Sequence, residues 1–294
     1  MLQVKENRLI YQDNQILLRG VSVADVNHIK GFRTFTFEEI LDKAIDTFKI
    51  NTIRIPILPE SKCKDSWYDV PDYFSNALNP AVEYALSKGL FVILDSHYIC
   101  EFYKKPHFWN KNRDWNRKLK HDLMYFWDFL SKKYCNQEKI IYEIFNEPIG
   151  PKDWSRYKIK IANVMITVIR NNCPNLILVG RPSPCDVLDV FENPMYQANV
   201  LHSTHLYPSF LTSNWKEHYK LFSDKHPLVI VEWGFQNGII GGDNIYADEL
   251  LAFSRKENIS LISGFADPYW EPSLFYEDLS LTELGKKVHE FYKL

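Results

Sequence analysis

Short apolar runs alternate with longer stretches of helical periodicity from one end of the chain to the other. The run from Leu228 to Val231 is apolar throughout, which is typical of a strand buried on both faces of a parallel sheet. Eight such runs predict strands: Leu17–Val23, Thr52–Pro56, Leu90–Asp95, Ile140–Asn146, Leu176–Gly180, Val200–Thr204, Leu228–Glu232 and Ser260–Ala266. A short hairpin is predicted in front of them, from Leu9–Tyr11 and Gln15–Leu18 around a turn at Asp13-Asn14.

Amphipathic stretches follow the strands and predict helices: Phe37–Lys49, Asn76–Lys88, Arg113–Tyr134, Asp153–Asn171, Cys185–Val190, Asn214–Asp224, Ile245–Glu257 and Leu281–Tyr292. Thr36 with Glu39, and Ser280 with Glu283, fit the capping box, in which a hydroxyl and a carboxylate satisfy free backbone donors at a helix start. Gly89 stands where a helix C-terminus favours glycine.

Eight alternating strand–helix units joined by short helix-to-strand turns predict an α/β fold, a closed (β/α)8 TIM barrel with a short N-terminal β-hairpin. The whole of residues 1–294 is expected to form this single catalytic domain. A doubly wound open sheet is the alternative, but no glycine-rich phosphate-binding loop follows the first predicted strand. We therefore predict the barrel.

The loops after the predicted strands are long and rich in aromatic residues and histidine, whereas those before the strands are short. Barrel active sites form at the C-terminal end of the strands, from the strand-to-helix loops. The long loops are Ala24–Phe35, Ile57–Ser75, Tyr98–Asn112, Tyr207–Ser213 and Asp267–Ser280. An active site is expected among them.

Polar side chains and one tryptophan stand at or just beyond the ends of successive predicted strands. A closed barrel brings all these ends to one rim. Singly, each residue has a structural explanation such as an ion pair, but together they favour function, because buried polar and charged groups are costly unless paired. They are Arg54 on the second strand, Asp95 and His97 on the third, Asn146 and Glu147 on the fourth, His205 and Tyr207 on the sixth, Glu232 on the seventh and Trp270 beyond the eighth.

Two of these residues are glutamates that end apolar runs, in Asn146-Glu147-Pro148 and Glu232-Trp233-Gly234. Two carboxyl groups facing each other across a sugar bond are what glycoside hydrolysis requires. We expect the two groups to lie about 5 Å apart, the spacing for retention of anomeric configuration; a separation above about 7 Å would contradict it.

The set resembles glycoside hydrolase family 5, the cellulase-like enzymes of clan A. The resemblance rests on Arg54 in Ile-Arg-Ile-Pro, His97 in Leu-Asp-Ser-His-Tyr, Asn146-Glu147-Pro148, His205-Leu-Tyr207, Glu232-Trp233-Gly234 and Trp270. These residues keep the family's order and strands from Leu18-Arg19-Gly20 to Trp270, nearly the full chain. Asn-Glu-Pro alone is a weak motif, but the combination is specific.

The resemblance implies a retaining β-glycoside hydrolase, an endo-β-1,4-glucanase acting on β-glucan or oligosaccharides by double displacement. Glu147 would be the general acid/base and Glu232 the nucleophile. Arg54 and a hydrogen bond from Tyr207 would keep Glu232 ionised. A β-mannanase or an exo-acting β-glucosidase or exoglucanase of the same family is the alternative.

The remaining matched residues would serve the sugar at the cleavage point. Asn146 would hold its 2-hydroxyl and His97 would contact it from the opposite wall. His205 would orient Glu147, and Trp270 would supply the flat face on which the sugar stacks. Family members often have a non-proline cis peptide bond directly after this tryptophan.

Two other classes of function remain as alternatives. A metal-dependent barrel hydrolase or isomerase could use Asp95, His97, Glu147, His205 and Glu232 as ligands. Arg54 among them would repel a cation, and no His-x-His pair ends the first strand, so we expect neither a metal nor a cofactor. A non-catalytic carbohydrate-binding barrel is disfavoured because both glutamates are present.

Substrate identity depends on the rim loops, where each aromatic residue is either a sugar platform or packed on its own barrel. The candidates are Trp67, Tyr68 and Tyr73, then Phe102, Tyr103, Phe108 and Trp109, then Tyr207-Pro208-Ser209-Phe210 and Trp215. In the loop after the first strand, Asp25 and His28 are either solvated or in contact with a distal sugar. Lys104, Lys105 and Lys111 make the third-strand loop basic, which would suit an acidic glycan or simply solubility.

The composition of the chain indicates which classes of binding partner to expect. The net charge of −2 gives no support for nucleic acid or an anionic membrane, while the 8 Trp and 17 Tyr leave aromatic rings available for sugars. The five cysteines, an odd number without Cys-x-x-Cys spacing, argue against a disulfide framework and a zinc site, and Cys100 is expected to be a bystander thiol. No apolar segment is long enough for a signal or a membrane span, so we expect a cytoplasmic protein if residue 1 is the native start, and a secreted one if a leader was removed.

Overall fold

Parallel strands close into a barrel in this computed structural model, which describes residues 1–59, 64, 66–101, 115–149, 154–181, 187–235 and 241–293. Its strands, numbered along the chain, are β1 (Gln3–Lys5), β2 (Arg8–Tyr11), β3 (Asn14–Ile16), β4 (Arg19–Ser22), β5 (Thr52–Ile57), β6 (Phe91–Ser96), β7 (Ile99–Glu101), β8 (Ile140–Glu143), β9 (Glu147–Ile149), β10 (Ile177–Gly180), β11 (Val200–Leu206), β12 (Leu228–Trp233) and β13 (Ser260–Phe265). The barrel runs in chain order through β4, β5, β6, β8, β10, β11, β12 and β13, and β13 pairs with β4. The predicted eight-stranded TIM barrel is confirmed.

Helices surround the barrel and follow its strands, as the amphipathic stretches predict. They are α1 (Val26–Phe32), α2 (Phe37–Phe48), α3 (Asn79–Ser87), α4 (Trp115–Lys133), α5 (Trp154–Tyr157), α6 (Asn163–Arg170), α7 (Val187–Phe191), α8 (Trp215–Ser223), α9 (Asn244–Lys256) and α10 (Glu283–Lys293). Five-residue π-helical stretches lead into α3, at Phe74–Leu78, and into α6, at Lys158–Ala162, and a 3-10 turn covers Pro208–Phe210.

Helix α1 lies where the sequence predicts only loop. Asp25 caps it by accepting hydrogen bonds from the backbone N–H groups of Asn27 and His28, and Val26 and Ile29 bury its inner face. Seven residues span only two helical turns, which is too short for a clear helical period in the sequence.

The predicted helix caps have different outcomes. The capping box of Thr36 and Glu39 is present, and Gly89 adopts the left-handed conformation at a φ of 80°. The prediction of a capping box at Ser280 and Glu283 is wrong. Ser280 bonds to Asp278 instead, and the Thr282 hydroxyl accepts the hydrogen bond from the backbone N–H of Gly285 at 3.0 Å.

A three-stranded antiparallel sheet, β1 to β3, covers the N-terminal end of the barrel. The predicted hairpin is its β2–β3 pair, with the turn at Gln12-Asp13, one residue earlier than expected, and β1 adds a strand. Leu2 and Leu9 pack against the apolar residues that fill the barrel interior at its N-terminal end. These residues are Leu18, Phe91, Ile93, Ile141, Leu176, Leu178, Leu201, Val229, Val231 and Ile262. No helix in the described ranges is long and apolar enough to cross a membrane.

The polar site lies one layer above this cluster. Alternate residues of a strand face the same side, so Asp95 stands over Ile93 and Glu143 over Ile141. The barrel interior is therefore apolar towards the N-terminal end and charged towards the C-terminal end.

Candidate active site

Arg54, on β5, is the centre of the polar layer. Its side chain is fully buried, and its guanidinium donates from Nε to Glu143 at 2.7 Å, from Nη1 to Glu232 at 3.0 Å and from Nη2 to Asn146 at 2.7 Å. Nη2 also lies 2.9 Å from Oδ2 of Asp95. Burial alone would lower the pKa of Arg54, but the surrounding carboxylates raise it, so the guanidinium stays charged.

Glu143 is a buried carboxyl group that the sequence analysis missed. It is wholly buried on β8, bonds to Arg54 through Oε2, and has Ser203 3.5 Å from Oε1. Burial raises the pKa of Glu143. The available signal was a lone glutamate inside the otherwise apolar stretch from Ile140 to Phe145.

Glu232, near the end of β12, accepts hydrogen bonds on both carboxylate oxygens. Tyr207 donates to Oε1 at 2.5 Å and Arg54 donates to Oε2 at 3.0 Å. Burial would raise the pKa of Glu232, but the charges of His205 and Arg54, with smaller effects of His97 and the Tyr207 bond, hold it below its usual value. Burial and the Glu232 charge raise the pKa of Tyr207, so the phenol remains a donor. The site thus presents Glu232 as a buried carboxylate anion.

Glu147 stands on a small sheet outside the barrel. The predicted fourth strand leaves the barrel after Glu143, and residues 147–149 form β9, which pairs in parallel with β7. The backbone N–H of Asn146 donates to Ser96 O at 3.1 Å, and that of Glu147 donates to Tyr98 O at 3.0 Å. This pairing places the Glu147 side chain over the barrel mouth, where it keeps 32% exposure.

His205 joins the two glutamates. Its Nδ1 lies 2.8 Å from Oε1 of Glu147 and 3.9 Å from Oε1 of Glu232. Burial opposes the imidazolium, but Glu232 and Glu147 raise the pKa of His205 above 6.5. Ligand atoms of the three residues all lie within 4.8 Å of one another, so the two carboxyl groups face each other at short range.

Hydrogen bonds also fix which atoms of Asn146 and His97 remain for a ligand. Oδ1 of Asn146 accepts from Arg54, which leaves its Nδ2 group as the donor. Nδ1 of His97 lies 2.6 Å from Oδ2 of Asp95, which leaves Nε2 for a ligand.

Trp270 lies beyond β13 beside His97, with ring centroids 5.4 Å apart. The centroid of the His28 ring lies 6.2 Å from that of Trp270, and the centroid of the Phe32 ring lies 4.7 Å from that of His28. These rings form a row that leads outward from the site. The expectation of a non-proline cis peptide bond after Trp270 is wrong: among the described residues the cis bond is Glu271-Pro272, which precedes a proline.

Several rim candidates have structural places. Trp67 packs against Tyr73, Phe126 and Phe129, and the Tyr68 hydroxyl donates to Asp122 O at 2.6 Å. Trp215 is buried against Phe253. The candidates Phe102, Tyr103, Lys104, Lys105, Phe108, Trp109 and Lys111 lie outside the described residues.

Asp25 is neither solvated nor a sugar contact. It is fully buried, and besides capping α1 it accepts from Leu58 N at 2.8 Å and from the Tyr73 hydroxyl at 2.7 Å. Burial raises the pKa of Asp25 despite these bonds. Its role is to fix the start of α1, the helix that carries His28 and Phe32.

Glu147, His205 and Glu232 are also the only group of potential metal ligands found among the described residues. Both oxygens of Glu232 already accept hydrogen bonds, one of them from the cationic Arg54. A metal ion here would have to displace these donors and would lie close to a fixed positive charge. The arrangement fits acid–base and nucleophilic chemistry better than metal ligation.

Comparison with known proteins agrees with this geometry. The family model described as Cellulase (glycosyl hydrolase family 5) matches residues 12–263. Endoglucanase A of Butyrivibrio fibrisolvens is 30% identical over 213 residues, covering 70% of this chain and 45% of that protein. Endoglucanase Z of Dickeya dadantii is 32% identical over 170 residues, covering 55% and 40%. The chain spans about half the length of the curated relatives it matches.

Solved structures share the fold. A β-glucanase of Saccharophagus degradans, also solved with cellotetraose, superposes with a TM-score of 0.86 at 20% identity, covering 99% of this chain and 92% of that one. The catalytic domain of a Thermobifida fusca endoglucanase gives a TM-score of 0.82 at 20% identity, covering 100% and 97%.

Proposed function

Because the chain belongs to glycosyl hydrolase family 5, the cellulase family, we propose that it hydrolyses β-glycosides, and more narrowly that it is a retaining endo-β-1,4-glucanase. The observation that carries the proposal is the pair of Glu147 and Glu232, in which one carboxylate oxygen of each residue lies within 4.8 Å of one of the other at the mouth of the barrel. Retaining glycosidases hold their carboxyl groups about 5–5.5 Å apart, and inverting ones about 6.5–9.5 Å apart to admit a water.

The environments of the two glutamates support different roles. Glu232 is buried with a lowered pKa, so it is available as the anionic nucleophile. Glu147 is more exposed, and its bond to His205 occupies Oε1 and leaves Oε2 for the glycosidic oxygen. Glu147 is therefore placed to act as the general acid.

The reaction then has two displacements. Glu232 attacks the anomeric carbon while Glu147 gives its proton to the leaving oxygen, which forms a glycosyl ester on Glu232. Glu147 next takes a proton from water, whose oxygen attacks the same carbon and releases Glu232. Two inversions give net retention.

Neighbouring groups would stabilise the charge that develops on the sugar and hold its ring. Nδ2 of Asn146 would donate to the 2-hydroxyl, a contact that strengthens in the transition state. Nε2 of His97 would contact the same sugar, whose face would stack on Trp270.

Two observations support a β-1,4-glucan as the substrate. The relatives are endoglucanases, and a structural neighbour binds cellotetraose. Ring contacts continue from His97 through Trp270 and His28 to Phe32, which is 54% exposed, so aromatic rings extend from the buried site to the surface. An oligosaccharide therefore fits the rim better than a single sugar.

Product analysis tests the proposal. Cello- and manno-oligosaccharides of defined length are digested, and NMR follows the anomer released first. We expect internal cleavage of the cello series with the β-anomer appearing first. Release of single sugars from one end would indicate an exo-acting enzyme, preference for the manno series a mannanase, and initial α-anomer would overturn retention. Glu232→Gln that binds cellotetraose as the parent does, with neither protein hydrolysing any glycoside, would indicate a binding protein.

A further inference from the structure

The loop that carries Trp270 is tied to α1 by a buried ion pair. Arg33, the residue that ends α1, donates from Nε to Oδ2 of Asp267 at 2.7 Å and from Nη2 to Oδ1 at 3.1 Å. The side chain of Arg33 is 6% exposed and that of Asp267 is wholly buried. Two parallel bonds of this kind hold both partners in one orientation.

Asp267 passes this orientation to the backbone of Trp270. Its Oδ1 also accepts from the N–H groups of Tyr269 at 2.8 Å and Trp270 at 2.7 Å. Its main-chain oxygen accepts from the Ser273 hydroxyl at 2.7 Å. The turn that presents Trp270 is therefore built around the Asp267 carboxylate.

Arg33 in turn is held firmly. Its backbone N–H donates to Ile29 O at 3.0 Å, and the ring of Tyr269 stacks on its guanidinium at 4.5 Å. At the other end of α1, the buried Asp25 carboxylate accepts four hydrogen bonds. Helix α1, which follows β4, is thus fixed at both ends. It supports the Trp270 loop, which follows β13, the strand that pairs with β4.

We propose that Arg33 is a positioning residue for catalysis, which acts through Asp267 to set the place of the Trp270 ring against His97. The role in turnover rests on the proposed glycosidase function; the effect on the ring itself does not. Arg33 lies 237 residues before Trp270, so the link is made only by the fold. Lysine cannot replace the arginine fork, because it offers a single ammonium group in place of two parallel donors.

The test combines Arg33→Lys with Trp270→Ala in a double-mutant cycle on cello-oligosaccharides. We expect Arg33→Lys to lower kcat/KM by about tenfold, less than the roughly 10²-fold that a 1 Å misplacement can cost. In the Trp270→Ala background the same substitution should have almost no further effect, because the ring it positions is gone. A loss of equal size in both backgrounds would show a general structural role and overturn the proposal.

A second measurement needs no substrate. The protein is labelled with fluorotryptophan, and the Trp270 fluorine resonance is assigned by its loss in Trp270→Phe. Arg33→Lys and Asp267→Asn should each shift or broaden this resonance. An unchanged resonance together with unchanged kcat/KM would overturn the proposal. A shifted resonance in a protein that cleaves no β-glycoside would reject the proposed function and retain the link between Arg33 and Trp270.

Arg255→Lys is the matched control. Its guanidinium also stacks on an aromatic ring, 4.7 Å from Phe291, and donates to Phe291 O at 3.1 Å, away from the site. It should leave both kcat/KM and the Trp270 resonance at the parental values.

Discussion

The hydroxyl of Tyr207 donates a hydrogen bond of 2.5 Å to Oε1 of Glu232. This bond is one of the interactions that hold the pKa of the buried carboxyl below its usual value. Tyr207→Phe removes it and should raise that pKa. Since the proposed mechanism requires this carboxylate to be ionised, the acidic limb of kcat/KM should move to higher pH. Maximal kcat/KM should fall roughly 10- to 10²-fold, since a hydrogen bond to a charged group contributes about 1.5–3 kcal/mol.

The shift is measured by comparing the pH dependence of kcat/KM in the parent and in the variant, because this dependence reports the pKa values of groups in the free enzyme. Tyr246→Phe is the matched control: its hydroxyl donates at 2.6 Å to the backbone oxygen of Leu206 and does not bond to Glu232. An acidic limb that stays in place in Tyr207→Phe, or moves equally in both variants, would contradict the assigned interaction.

The roles of Glu147 and Glu232 can be separated with azide and an aryl β-cellobioside that has a good leaving group. In Glu232→Ala, azide should take the place of the proposed nucleophile, and a single displacement should give the α-glycosyl azide. In Glu147→Ala, the ester on Glu232 still forms, and azide should open it to the β-glycosyl azide. Without azide, loss of the acid/base should lower turnover of poor leaving groups roughly 10²–10⁴-fold.

NMR of the anomeric proton identifies the two azides. The reverse pairing of variant and product would exchange the roles of the two glutamates. Formation of neither azide, with no rescue of turnover, would argue against double displacement.

Removal of divalent cations should leave the activity unchanged. Glu147, His205 and Glu232 could surround a cation, but Arg54 and Tyr207 already donate to both oxygens of Glu232. Activity is measured after dialysis against EDTA and again after Mg²⁺, Mn²⁺ or Zn²⁺ is added. Loss that a single metal ion restores would favour the metal-dependent hydrolase.

His202 should make the fold sensitive to acid. It is buried on β11, and burial, with smaller effects of His226 and Lys158, lowers its pKa to about 3. The unfolded chain binds this proton near pH 6.5, so the contribution to stability is present above that pH and is lost as the pH falls. Between pH 7.5 and pH 5, this one group should lower the free energy of unfolding by about 2 kcal/mol.

His202→Gln keeps an acceptor for the backbone N–H of Met195, which bonds to Nε2 at 3.2 Å. Urea unfolding is measured at pH 7.5 and at pH 5. The free energy of unfolding should decrease less between these pH values in the variant than in the parent. His121→Gln, at a side chain 82% exposed, serves as control and should behave as the parent does. Equal decreases in the parent and in His202→Gln would mean that His202 does not titrate on unfolding.

Local patterns in the sequence were enough to predict most of the barrel. Several buried strands, such as β12, are nearly continuous apolar runs, and polar residues near the ends of the strands must meet at one rim once the barrel closes. Arg54, Asn146, Glu147 and Glu232 could therefore be placed before any contact was known, and hydrogen bonds now join Arg54 to Asn146 and to Glu232.

What the sequence could not provide depends on distant pairing. Asp267 lies 234 residues from Arg33, and neither has a local pattern that names the other. Glu143 is hidden in an apolar stretch, and its purpose is visible only when Arg54 from another strand reaches it. Asp25 is a residue type common in loops, and the sequence predicts a loop there. Its carboxylate nevertheless accepts hydrogen bonds from three separate segments of the chain.

The N-terminal sheet also has an electrostatic consequence. With β1 to β3 over its lower end, the barrel holds an apolar layer directly beneath Arg54 and its carboxylates. That layer is a medium of low dielectric constant, in which charges act on each other more strongly than in water and are poorly screened by dissolved ions. Arg54 and Glu232 therefore attract each other more strongly than the same two charges would in water.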